Sequence, residues 1–165
     1  MKPVIFVDID DVMCDSWSWW VTLYNKEHGT SYVKDDFTEW KADFLEHPIE
    51  VYFHNYDKVE PIKGAFGHVG ILQKKYRIVF ATAGHGWEWM KFFMPNAEII
   101  YIQDKSLLRG FALIDDKPLN LDGFIGLRYL YRQPWNTNRG LNDATWEDIT
   151  KHLMEVDIET IRFAD

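Results

Sequence analysis

The sequence predicts an α/β fold: a doubly wound, Rossmann-like parallel sheet with a small helical cap inserted after its first strand. Three observations predict it. Short apolar runs rich in β-branched and aromatic residues recur along the chain, each ending in polar or small residues. Helical patterns alternate with these runs from about residue 60 onward. The first connection holds about seventy residues, where a simple crossover needs only part of that length.

The expected strands are residues 3–7, 77–81, 98–102 and 111–114, with a weaker fifth at 127–131. Runs this apolar suit strands covered on both faces by helices. Helices are expected over 63–75, 86–94 and 145–154. The last opens with a capping box, Thr145-Trp146-Glu147-Asp148, ahead of Ile149 and Leu153. Residues 1–14 and 61–165 then form the α/β core, and 15–60 form the cap. That insert carries Trp17, Trp19, Trp20, Tyr24, Phe37, Trp40, Phe44, Tyr52, Phe53 and Tyr56, more aromatic area than two or three small helices need to pack on one another. Placed directly after the first strand, it sits over that strand's carboxyl end, where open α/β sheets bind ligands.

Composition narrows the function. At 165 residues the chain has room for one domain of ordinary size. Eighteen Lys and Arg against 26 Asp and Glu give a net charge of −8, which argues against a surface for duplex nucleic acid. A small anionic ligand stays open, because a bound cation overrides the global sign locally. Cys14 is the single cysteine, so neither an intrachain disulfide nor a Cys-rich zinc site is available. The opening Met-Lys-Pro leads into a short apolar run ended by Asp8, neither a signal segment nor a membrane span. A cytoplasmic protein with no membrane partner is expected.

The chemistry sits where the runs stop. Asp8, Asp10 and Asp11 follow the first strand and Asp115-Asp116 follow the fourth. Carboxylates crowded in this way need a cation or a proton to persist. Hard oxygen ligands suit Mg²⁺, which shares its remaining positions with water and phosphate. The second strand runs into Thr82-Ala83-Gly84-His85-Gly86, a hydroxyl followed by small residues whose backbone N–H groups can approach an oxyanion. Lys105, after the third strand, adds a point charge suited to a phosphate oxygen.

The order Asp pair, Thr, Lys, Asp pair resembles the haloacid dehalogenase (HAD) superfamily of aspartate-nucleophile phosphatases. Its first motif looks like Asp8-Ile9-Asp10-Asp11-Val12, its second ends at Thr82, its third is Lys105 and its fourth Asp115-Asp116. More narrowly, Asp104-Lys105-Ser106, the stretch Leu113-Ile114-Asp115-Asp116-Lys117-Pro118-Leu119-Asn120-Leu121, Asp15, and Gln133-Pro134-Trp135-Asn136 are similar to the 5′(3′)-deoxyribonucleotidase family. The chain departs from that family's pattern with Asp11 where Gly is common, Ala83 where a second hydroxyl is common, Gln103 in place of an Arg, and Ser16 in place of an aromatic residue.

The resemblance implies a Mg²⁺-dependent phosphomonoesterase acting on (deoxy)nucleoside monophosphates through an aspartyl-phosphate. In it Asp8 is the nucleophile and Asp10 the general acid and base. Asp8, the Asp10 backbone carbonyl and Asp115 hold Mg²⁺. Thr82, Ala83 and Lys105 grip the phosphate, and Asp116 orients Lys105 or a metal-bound water from behind. Trp17, Trp20 and Trp40 are the candidates for stacking on a base. The partner is a small nucleotide, and a homodimer is admitted. Two alternatives stay open: a HAD phosphatase acting on another small metabolite or on a nucleic-acid 3′-phosphate end, and a phospho-accepting signalling module with its acceptor near Asp57.

Overall fold

The structure is a computed structural model that describes residues 1–39, 56–84, 86–137 and 143–158. Strands β1 (Val4–Val7), β2 (Arg77–Thr82), β3 (Ile99–Tyr101), β4 (Arg109–Asp115), β5 (Ile125–Tyr131) and β6 (Asp143–Ala144) form one sheet in the order β3-β2-β1-β4-β5-β6. Every neighbouring pair is parallel. The five expected strands are all present. β6 was not foreseen, because two residues carry no period.

Alternation along the strands explains their composition. Ile5, Val7, Phe80, Ala112 and Ile114 point to one face, where they meet Ala65, Val69 and Leu72 of α2 (Ala65–Leu72), Trp89 and Met90 of α3 (Gly86–Phe93), and Ile149 and Leu153 of α5 (Trp146–Glu155). Phe6, Ala81, Leu113 and Leu130 point to the other face and meet Leu108, Phe124 and Leu121, the last from the short α4 (Pro118–Leu121). Both faces are covered, so the strands read as unbroken apolar runs. The capping box before α5 forms as expected: the Thr145 side chain accepts from the Asp148 backbone N–H, and Asp148 accepts from Thr145 in return.

The segment after β1 supplies α1 (Ser16–His28), which Asp15 caps by accepting from the Ser18 N–H and which ends at Gly29 with φ 65°. Its residues Trp17 and Val21 pack on Trp135 from beyond β5. Trp40, together with Phe44, Tyr52 and Phe53 of the expected cap, lies outside the described residues. Asp57 itself is exposed on a 3-10 turn (Tyr56–Lys58), whereas the acceptor of a signalling module would sit at a strand end.

Strand register sets the stage for the site. Val7 lies level with Phe80 of β2 on one side and with Ile114 of β4 on the other, so the three strands end together. From β1 the chain moves out to β2 and β3, then returns to β4 on β1's opposite flank. Open sheets of this kind bind ligands where the winding reverses, which here is outside the carboxyl ends of β1 and β4.

Candidate active site

Asp8 leaves β1 one residue past Val7, and Asp115 is the last residue of β4. Parallel register therefore brings together two carboxylates more than a hundred residues apart. Lys105, on a 3-10 turn (Lys105–Leu107), reaches between them: its Nζ stands 2.8 Å from Asp8 Oδ1 and 2.5 Å from Asp115 Oδ2. All three side chains are buried. Burial alone would pull the Lys105 ammonium down, but Asp8 and Asp115 outweigh it and hold the group above the usual lysine range.

Asp115 is oriented by neighbours in its own loop. Lys117 N–H donates to its Oδ1 at 2.9 Å, and Asn120 Nδ2 lies 3.0 and 3.1 Å from its two oxygens. Pro118 starts α4, so Asn120 falls on the turn that faces back toward the strand end. Burial, reinforced by Asp8, pushes the Asp115 carboxyl up to about 6. Burial and then Asp115 push Asp116 well above the usual carboxylate range.

One ligand oxygen from each of Asp8, Asp115 and Asp116 lies within 4.8 Å of the others. The Asp116 carboxylate thus lies close to the other two. Its Oδ2 accepts from Trp135 Nε1 at 3.1 Å, while its Oδ1 is buried with no hydrogen-bond partner. An orphaned carboxylate oxygen among buried acids is what a hard divalent cation would satisfy, and the all-oxygen donor set suits Mg²⁺.

The Asp10 carboxylate faces the loop after β2. A Cβ built on either Gly84 or Gly86 would stand 3.2 Å from Asp10 Oδ2, so the absence of side chains there eases the close approach of this loop. Burial, then the charges of Asp8 and Asp11, push the Asp10 carboxyl up to about 7 against the opposing pull of Lys117 and Lys105. Asp10 is thereby poised to hold and release a proton near neutrality. Thr82 is fully buried at the end of β2 and its Oγ1 accepts from the Gly84 N–H at 3.0 Å, shaping the turn, while Ala83 is exposed on it.

Asp11 adopts φ 56°, the left-handed conformation that Asp tolerates better than most residues. Its carboxylate accepts from Ser16 Oγ at 2.8 Å and from the Trp17 N–H at 3.2 Å, and its carbonyl accepts from Gln133 Nε2 at 2.5 Å. The turn that holds Gln133 also holds Asn136, whose Nδ2 donates at 2.8 Å to the carbonyls of Asp116 and Tyr131. Trp17 is fully buried, ringed by Trp135 (centroids 4.9 Å apart), Phe37 and Trp20. A ring so enclosed anchors the aromatic patch and offers no open stacking face. Trp20 sits half-buried at the edge.

Residues 2–157 match the family described as 5′ nucleotidase, deoxy (Pyrimidine), cytosolic type C protein. The chain belongs to this family. Similar relatives are the 5′(3′)-deoxyribonucleotidase of Bacillus subtilis, 27% identical over 93% of this chain and all of the relative, and that of Clostridium acetobutylicum, 26% identical over 88% of this chain and 91% of the relative. Among solved structures, the fold is similar to the HAD-hydrolase YfnB of Bacillus subtilis bound to magnesium (TM-score 0.60, 13% identity, 93% of this chain and 99% of that one). It is also similar to the phosphoserine phosphatase of T. onnurineus (TM-score 0.53, 15% identity, 95% and 96%). Membership makes the chain a nucleotidase-family hydrolase of phosphoric monoesters. Within that nucleotidase family frame, the residues sequence reasoning passed over are Lys34, Asn120, Gln133, Trp135 and Asn136. Asn120 and the Gln133–Asn136 stretch entered only as likenesses, with no role attached; the spacing of Asn120, five residues after Asp115 and just inside a Pro-started helix, was the available signal.

Proposed function

We propose that the chain is a Mg²⁺-dependent nucleotidase that hydrolyses (deoxy)nucleoside monophosphates through an aspartyl-phosphate on Asp8. The observation that carries this reading is the Lys105 ammonium set between Asp8 and Asp115 at the reversal point of the sheet. A carboxylate nucleophile beside a fixed cation, with a second carboxyl titrating near neutrality, is the equipment of stepwise phosphoryl transfer.

In the first step an Asp8 oxygen bonds to phosphorus as the bond to the ester oxygen breaks, and Asp10 gives that leaving oxygen its proton. In the second step water attacks the same phosphorus, Asp10 takes the water's proton, and the acyl-phosphate bond breaks to restore Asp8 and release inorganic phosphate. Thr82, the Ala83 backbone and Lys105 hold the phosphoryl oxygens as charge redistributes. Asp8, Asp115, the Asp10 carbonyl and Asp116 would hold Mg²⁺, which supplies the positive charge that lets an anionic carboxylate approach an anionic ester. Residues 15–60 act as a cap on a core of 1–14 and 61–165, and the partly exposed rings of Trp20 and Phe37, backed by buried Trp17 and Trp135, give the base an aromatic wall. No helix among the described residues is long and apolar enough to cross a membrane, and a cytoplasmic setting fits the small nucleotide substrate.

Asp8→Asn should fold as the wild type does and lose at least about a thousandfold in hydrolysis of an aryl phosphate; unchanged turnover would overturn the mechanism. Ranking nucleoside monophosphates against the corresponding sugar phosphates by kcat/KM tests the substrate. Removing the base should cost at least tenfold. Equal efficiency would favour a phosphatase for another small metabolite.

A further inference from the structure

Lys34 belongs to none of the phosphatase motifs, yet it is mostly buried and touches three parts of the site. It lies on the 3-10 turn Lys34–Asp36 after α1, with its side chain 16% exposed. Its Nζ stands 3.0 Å from Asp11 Oδ1 and 2.6 Å from Asp15 Oδ1, the residue that caps α1. The same ammonium sits 5.3 Å from the ring centroid of Trp135, whose Nε1 donates to Asp116.

We propose that Lys34 is a positioning residue for the catalytic loop: by pairing with Asp11 it keeps residue 11 left-handed and so fixes the direction of the peptide that carries the Asp10 carbonyl. The inference rests on the phosphatase reading of the site. Asp11 is 1% exposed, follows Asp10 directly and stands in a loop that also holds Asp8. Without Lys34 its carboxylate keeps Ser16 and the Trp17 N–H but loses its cation. The available relief is rotation of φ away from 56°, toward the region side chains prefer. That rotation swings the peptide between residues 10 and 11, moving the Asp10 carbonyl and the carboxyl that faces Gly84 and Gly86. A glycine at position 11 takes the left-handed conformation without strain and carries no charge to compensate, so it makes Lys34 dispensable.

The test is a double-mutant cycle with Lys34→Met and Asp11→Gly, read as kcat/KM on an aryl phosphate and as denaturant midpoint. Lys34→Met should cost at least tenfold in kcat/KM in the wild-type background and less than twofold in the Asp11→Gly background. A loss in the wild-type background that exceeds the loss in the Asp11→Gly background by fivefold or more supports the proposal, and any smaller ratio overturns it. Coupling seen in the midpoints alone would mark the pair as a structural clasp and also overturn it. Should Lys34→Met be unfolded, the double variant decides: kcat/KM within threefold of Asp11→Gly supports the proposal and a greater loss overturns it. Wild-type turnover and its loss in Asp8→Asn check the phosphatase reading separately from this cycle.

Discussion

Asp10 shows how surroundings assign a role to a residue type. Asp8 and Asp10 are the same amino acid two positions apart, but one meets the Lys105 ammonium while the other faces a glycine loop. With its carboxyl pushed up to about 7, Asp10 keeps its proton through mildly acidic pH and surrenders it above neutrality. In the proposed mechanism the acid form is the one that protonates a leaving oxygen, so kcat for an alkyl phosphate should fall as pH rises past about 7. A nitrophenyl ester, whose leaving group needs little help, should fall less steeply. Asp10→Asn should slow the alkyl ester by about 10²- to 10⁴-fold and erase the descending limb of its pH–rate profile. A descending limb that survives the substitution would assign it to another group. The same shift acts on stability in the metal-free protein. A carboxyl that ionises at 3.8 when unfolded and at about 7 when folded gives its full stabilisation below pH 3.8 and loses it as pH rises through 7. Thermal midpoints without metal should therefore decline over that window.

At the level of elements, the start of α3 fits tightly against the acidic loop after β1. A Cβ on Gly86 would meet Ile9 Cγ2 at 2.6 Å and Ile9 Cβ at 3.0 Å, besides approaching Asp10 Oδ2. Gly86→Ala should cost about 1–3 kcal/mol by overpacking. It should also lower kcat more than tenfold by shifting Asp10; chemical denaturation and single-turnover kinetics read the two effects. The strands and the residues gathered at their ends were legible because each apolar run stops at a polar side chain: Val7 at Asp8, Ala81 at Thr82, Ile114 at Asp115. Periodicity shows where a run ends, and parallel topology does the gathering. The supports were not legible. Lys34 meets Asp11 across 23 positions and Trp135 meets Asp116 across 19, and no local pattern encodes such pairings. The packing of Trp17 was hidden for a related reason: composition counts rings but does not say which of them enclose one another. The closeness of the Asp116 carboxylate to those of Asp8 and Asp115 depends on how the chain turns after β4, which adjacency to Asp115 does not disclose.

Across the molecule, acids outnumber bases and several of them are concentrated at one end of the sheet, with Asp10, Asp115 and Asp116 all shifted toward protonation. A bound divalent cation should therefore stabilise the whole fold. Mg²⁺ at about a hundredfold its Kd should add about 2.7 kcal/mol. For a chain of this size that corresponds to a rise in Tm of about 5–10 °C by scanning calorimetry. Asp115→Asn should abolish most of the rise, and a rise that persists in full would place the ion elsewhere. One bond joins distant parts of the sequence: Trp146 Nε1 in α5 donates at 2.9 Å to the carbonyl of Val12, just beyond the acidic loop and 134 positions earlier. During synthesis on the ribosome that carbonyl must wait for its donor until the nascent chain has emerged past residue 146. The segment after β1 thus gains this bond only once α5 is available, and a chain cut short before α5 would leave the Val12 carbonyl without its indole donor.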